Sequence, residues 1–399
     1  AGGLIGQPME VDAIDLVVTF DSSRNQATLA GAAVVNGLPA RLGLVLNTGL
    51  PVLHPVDLAV DLPGGRVAFT GWPGRRSSDD PLRGRLAVEA AFLPEFVESL
   101  TRVLGRPPVR TNEAVLRRVE ASGDILFDGR RLTIDGLSLV TEGERIRGKL
   151  QIDADDVVAV GGRLSAASLD ADRWLERLHE QPLLVPASGS SGAASAAEKP
   201  RLRLALTVEA ASLKYRRDIV RDLVVSFEVE NDVFNLREAS AILPGDFHLH
   251  RRVGFEGDKT HPGYDGVIQV DARNLRRTMK WIGIDTDSLP PDRLQTLRLN
   301  GRTRPVKGVV HVADATFSLD GQAGTVAADI ALAIPTVISA RLHLPQLDLD
   351  AYSLTGTALG GMVPRSPTQA GAGDVEPPLI EIIAALDQVT YRGEPAHRV

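Results

Sequence analysis

The chain has 399 residues, 43% of them hydrophobic, enough for the buried surface of a folded protein of two or three domains. Its 44 Lys and Arg and 51 Asp and Glu give a net charge of −7, mixed along the chain without a basic block, which argues against a nucleic-acid partner. There is no cysteine, so disulfides and thiolate chemistry are excluded and the compartment stays open on this count.

Aromatics are only 4%, the apolar residues are mostly Val, Leu, Ile and Ala, and 38 Gly with 25 Pro supply many turns. This mix favours short strands over long helices. No stretch is long and apolar enough to span a membrane, and "AGGLIGQPME" lacks the regions of a signal peptide. A start on Ala1 in place of Met predicts that the sequence is a fragment.

In chain order, period-two alternation begins at Ile14, Leu16, Val18 and Phe20. A helix is predicted over "LPEFVESLTRVLG", with Pro94 near its start and Gly105 as its stop, and another over "ADRWLERL" after Asp170. The low-complexity stretch 186–200 reads as a linker. Alternation resumes at Leu202, Leu204, Leu206 and Val208, then at Leu223, Val225, Phe227 and Val229. A third helix is predicted over "NLRRTMKWIG", capped by Asn274. Further strands follow at Val326, Ala328, Ile330 and Leu332 and at Ile338, Ala340, Leu342 and Leu344, before a Pro/Gly-rich loop over 364–378. Turn phrases such as "VNG", "DGR" and "LDG" separate these runs, as in successive antiparallel strands.

Three landmarks recur in order about 180 residues apart: Leu169-Asp170-Ala171 and Leu349-Asp350-Ala351, the two low-complexity stretches, and Tyr215-Arg216 and Tyr391-Arg392. Long-period self-similarity marks a repeat architecture. The organisation expected is a first unit over 1–200, a second over 201–378, and the start of a third, truncated unit over 379–399.

Motifs for chemistry are weak. "GERIRGK" (143–149) matches the opening of a phosphate loop, but Leu150 replaces the magnesium-binding Ser or Thr, and Ile146, Gly148, Leu150 and Ile152 alternate as a strand. His248 and His250 share a strand face and lack an evident third ligand, with His261 as the nearest candidate. Asp153, Asp155, Asp156, Asp348 and Asp350 suit turns and caps as well as paired-acid chemistry. No catalytic residue, metal site or cofactor is assigned, and no enzyme activity is expected.

The stretch from "LTVEAASLKYRRDIVRDL" through "ILPGDFHLH" and "GVIQVDARNLRRTMKWIGID" to "LHLPQLDLDAYSL" resembles the AsmA-like family of bacterial envelope proteins. The likeness is clearest from about residue 201 to 354 and weaker before it. It implies a periplasmic protein anchored to the inner membrane by a helix outside this sequence. It further implies an elongated, mainly β fold with a few short helices, an antiparallel sheet curled into a groove that carries phospholipid or other acyl lipids between the two membranes, with a role in outer-membrane biogenesis. The candidate lining is Ile14, Leu16 and Val18; Leu204, Leu206 and Val208; Leu223, Val225, Phe227 and Val229; Ile268 and Val270; Phe317 and Leu319; and Ile330 and Leu342. Alternation by itself fits a closed sandwich equally well, because apolar faces also cover one another. The alternative function is a structural or assembly factor of the envelope that binds proteins and not lipids.

Overall fold

The computed structural model describes residues 10–47, 55–74, 80–104, 109–111, 117–154, 157–180, 184–186, 201–230, 233–253, 266–287, 289–306, 309–331, 336–352 and 379–397. Among the described residues the protein is mainly β, with three short helices. It divides into two compact units, residues 1–167 with 173–204 and residues 168–172 with 205–399.

The first unit holds β1 (Val11–Asp21), β2 (Gln26–Val35), β3 (Leu38–Asn47), β4 (Val56–Leu62), β5 (Gly65–Trp72), β6 (Leu82–Ala90), α1 (Leu93–Val103), β7 (Val109–Thr111), β8 (Val119–Phe127), β9 (Arg131–Thr141), β10 (Glu144–Ala154) and β11 (Val157–Asp170), whose last three residues belong to the second unit. Apart from β7, each strand pairs antiparallel with its neighbour in sequence, and β6 pairs with β8 across α1. After α2 (Ala171–Glu180), the short β12 (Leu184–Pro186) pairs with β7 as a separate ribbon.

The second unit continues with β13 (Arg201–Tyr215), whose first four residues belong to the first unit, β14 (Asp218–Glu230), β15 (Val233–Leu243), β16 (Phe247–Val253), β17 (Gly266–Ala272), α3 (Leu275–Trp281), β18 (Leu297–Val306), β19 (Val309–Leu319), β20 (Gln322–Ala331), β21 (Val337–Asp348), β22 (Leu379–Tyr391) and β23 (Glu394–His397). From β14 to β21 successive strands pair antiparallel. One pairing departs from the antiparallel expectation: β21 and β22 run parallel, Val337 opposite Leu379 and Asp348 opposite Thr390. A parallel neighbour in sequence requires a crossover connection, which a two-residue hairpin cannot supply.

Period-two sequence sets the faces. On β4, Val56, Leu58 and Val60 share one side and Asp57 and Ala59 the other. Where two facing strands crowd, glycine removes the side chain: Gly71 and Gly84 stand directly opposite, and a Cβ on Gly71 would lie 2.5 Å from the Gly84 Cα.

The helices form at the predicted places, and α1 and α3 cover strand ends on the apolar face. Phe96 of α1 is buried with Ala40, Leu62, Ala90 and Val119, while Leu275 of α3 is buried with Ala272 and Leu294. The Pro63-Gly64 turn fits beneath α1. Gly64 has φ +82°, and a Cβ there would lie 2.5 Å from the Phe96 amide nitrogen. Gly37, in the β2–β3 turn, has φ +77° and open space around it. A non-glycine residue in this region costs about 1–2 kcal/mol, so Gly37→Ala is expected to lower stability by about 1 kcal/mol and Gly64→Ala by about 2 kcal/mol or more, since it also displaces the helix. Urea unfolding midpoints of the two variants check this difference.

Candidate functional site

The first unit carries an apolar face without interruption. Direct cross-strand pairing aligns Leu16, Gly31, Leu42, Val60, Val67, Val88, Ala121, Leu139, Ile146 and Ala166 in one row over its ten main strands. A second row runs Phe20, Ala27, Leu46, Val56, Gly71, Gly84, Ile125, Ile134, Leu150 and Gly162. No polar side chain enters either row. Every member of the first row is half-buried, neither sealed nor fully open. Most of the fully buried apolar residues of this unit gather beneath α1, and Val60, Val67, Val88 and Leu139 of this row pack against them; Phe69, between the two rows, is buried as well.

Of the residues singled out from sequence, Leu16 lies in the first row, and Val18, opposite Leu29, lies between the two. Val18 is 68% exposed and Ile14 61%, because among the described residues β1 pairs on one side only, with β2. The remaining nine strands of this face were missed as lining, although "RLGLVLN" and "VDLAVDL" carry the same alternation.

In the second unit Leu206 and Val208 of β13 share a face, with Thr207 turned away to hydrogen-bond Ser226 of β14; Leu204, two residues before, continues that alternation at the close of the first unit. Val225 pairs with Ala239 and Phe227 with Leu236 on one side of β14, and Leu223 and Val229 alternate with them. Ile268, Val270 and Phe317 are buried in one cluster with Val312, Ala315, Val326 and Leu344, and Leu319, Ile330 and Leu342 pack against it. This part of the face is filled by its own side chains: Phe317 covers Gly324, where a Cβ would fall 2.7 Å from the ring. One charged residue interrupts it. Arg251, opposite Ala239 and Ile268, is buried and donates to the carbonyls of Leu236 and Arg237.

The two helices are tethered alike. Phe92, preceding α1, donates its amide to the Gly64 carbonyl at 3.1 Å, and Asn274, preceding α3, donates to Gly245 at 3.0 Å. Leu93 donates to Arg117 and Leu275 to Gln295. At the C-terminal ends, Asn36 Nδ2 donates to the Arg102 and Val103 carbonyls, and Arg216 Nη1 to that of Ile282. The Tyr-Arg phrases form a second matched pair. Asp172 accepts the backbone amides of Arg216 and Arg217 at 2.6 and 2.9 Å; Asp350 accepts those of Arg392 and Gly393 at 2.7 and 2.8 Å. All four turn residues have positive φ, and each arginine stacks on its preceding tyrosine. The partner of Asp350 in this geometry is thus Asp172, two residues beyond the Asp170 that the Leu-Asp-Ala phrase aligns with it.

The motifs weighed for chemistry fall on the polar face or in turns. "GERIRGK" is a hairpin turn followed by β10, with no helix after it. His248 and His250 lie on β16, away from Leu249 and Arg251, and His261 lies outside the described residues. Among the described residues no three metal-ligating side chains converge. Ser339, Asp329 and His311 line up across β21, β20 and β19, with His311 Nδ1 2.6 Å from Asp329. The carboxylate stands between hydroxyl and imidazole, so His311 makes no direct contact through which to take the serine proton. Asp348 accepts the amides of Asp350 and Ala351, and Asp155 and Asp156 lie outside the described residues.

Neither a family model, nor a curated protein, nor a solved structure matches the chain.

Asp153 pairs with Arg131 at 2.5 Å and accepts from Gln151 at 2.9 Å; the arginine first, then the glutamine, hold its carboxyl below the usual carboxylate range. A depressed folded value means that the stabilisation is complete above the unfolded value of about 3.9 and fades as pH falls through the folded one. In Arg131→Met, NMR titration is expected to show the Asp153 midpoint rising toward that unfolded value. An unchanged midpoint would remove Arg131 as the cause.

Proposed function

We propose that the chain is a repeating β-groove protein of the AsmA-like type, which binds acyl lipid along its apolar face and serves lipid transport between bacterial membranes. The observation that carries this reading is the row from Leu16 to Ala166: ten apolar residues on ten adjacent strands, all half-buried. In a closed sandwich the centre of such a face is sealed by a second sheet. Partial exposure of a whole apolar row favours a trough whose lining is completed by a bound chain.

The energetics suit that cargo. At strand spacing the row extends about 43 Å along the sheet, and each methylene removed from water is worth about 0.8 kcal/mol. The attraction is non-directional. With no polar side chain in either row, a chain moving along the first unit meets no strong local trap. The buried cluster around Phe317 in the second unit leaves less of its face for cargo, which favours the first unit as the principal site.

Repetition is part of the proposal. The matched tethers of α1 and α3 and the matched Asp172 and Asp350 clamps support one plan used twice, in which Leu62-Pro63-Gly64 corresponds to Leu243-Pro244-Gly245. On this plan the β22–β23 hairpin, clamped by Asp350, corresponds to the β13–β14 hairpin that opens the second unit, and is the opening of a third. Periplasmic residence and an inner-membrane anchor belong to the same reading through the family resemblance.

The test is native mass spectrometry of the protein isolated from a bacterial host. Co-purifying phospholipid is expected for the wild type and its loss for Leu42→Asp, whereas Ala59→Asp, on the opposite face, retains it. A folded protein that carries no lipid and takes up no fluorescent phospholipid would overturn the groove and leave the assembly-factor reading.

A further inference from the structure

We propose that the polar face of β10 and β11 is a contact for an anionic membrane surface. The residues are those of "GERIRGK", which the groove does not use. Arg145, Arg147 and Lys149 alternate with the inward Ile146 and Gly148, so three cations stand in line on the polar side of one strand, about 7 Å apart. Arg163 of β11 lies directly opposite Lys149, a like-charge pairing that costs stability. All four are exposed.

The surroundings of Arg145 and Arg147 supply no carboxylate partner among the described residues. Lys149 reaches Asp135 at 2.8 Å, but Arg145 and Arg147 make no ion pair among the described residues. Arg147 is instead flanked in register by two hydroxyls, Ser138 on β9 and Ser165 on β11, and Ser122 on β8 extends that row. Guanidinium and hydroxyl donors side by side suit phosphate oxygens. Acidic residues of the same face, Glu120, Asp124 and Asp135, lie on β8 and β9, and Asp153, paired with Arg131, lies at the far end of β10, which confines the positive contact to the first half of β10 and the part of β11 beside it.

Neither the fold nor general surface composition requires this stripe. In the second unit β20 follows the equivalent Asp320-Gly321 turn, and its outward residues are Ala323, Thr325, Ala327 and Asp329. Arginines do occur on the polar face of β18, but there Arg298 meets Asp271 at 3.2 Å and Arg302 meets Asp314 at 4.0 Å. Arg145 and Arg147, exposed and without a carboxylate partner among the described residues, are complementary to a surface of phosphate headgroups.

Co-sedimentation of the full chain with vesicles tests the contact, comparing phosphatidylglycerol mixed into phosphatidylcholine with phosphatidylcholine alone. Binding is expected only to the anionic vesicles and is expected to collapse at high salt. Arg145→Gln/Arg147→Gln should bind about thirtyfold less, the equivalent of about 1 kcal/mol per arginine. Arg145→Lys/Arg147→Lys and the matched-charge control Arg298→Gln/Arg302→Gln should bind as the wild type does, with circular dichroism showing each variant folded. Equal binding to neutral vesicles, or undiminished binding by the Gln variant, would overturn the proposal. So would binding to polyglutamate without binding to anionic vesicles, which would assign the stripe to an acidic protein partner. Surface binding does not require that lipid enter the groove, so either proposal can fail alone.

Discussion

An open sheet with one wholly apolar face has to cover that face, and this constraint governs the rest of the structure. In the first unit, the rows from Leu16 to Ala166 and from Phe20 to Gly162 leave no polar gap where the face tolerates water. The protein meets the demand in two ways. At one end of the strands α1 lies over the sheet and buries Phe96 against Ala40, Leu62, Ala90 and Val119. Away from α1 the rows stay partly open, from half-buried Leu42 and Ile146 to Phe20 at 61% exposure, and a bound acyl chain would complete their cover.

The helices matter because they are held by backbone geometry that few sequences allow. Gly64 and Gly245 sit so close beneath α1 and α3 that a side chain at either would meet backbone or a helix side chain at 2.4–2.6 Å. Their carbonyls then accept the first amide at each helix start, and a turn residue, Asn36 or Arg216, donates to the last carbonyls. Each helix is fixed at both ends with little of its own length. The second unit shows the other solution to the same constraint: Phe317, Phe247 and their neighbours fill their own face.

Much of this architecture was legible in the sequence, since alternation is a direct image of a strand with one buried side. The three helices, the strand character of "GERIRGK" and the turns at Asn36-Gly37 and Asp320-Gly321 follow from local residues alone. Distance-dependent features were not legible. The parallel entry of β22 beside β21 depends on where a long connection returns. The burial of Phe317 depends on its meeting Gly324 across the β19–β20 pair. The Leu-Asp-Ala phrase pointed to Asp170, yet the residue holding the Arg216-Arg217 turn is Asp172, because clamp geometry follows the turn amides and not the neighbouring letters. The candidate lining was drawn mostly from the second half, where the family phrases are strongest, while the more open rows lie in the first.

The central claim, that the half-buried rows of the first unit contact lipid, is tested most directly by photocrosslinking from single positions along β4 in the presence of labelled phospholipid. Adducts are predicted from positions 58 and 60 and none from 57 and 59, a period-two pattern set by the two faces of the strand. Absence of adducts at all four positions, or equal labelling of both faces, would contradict the account.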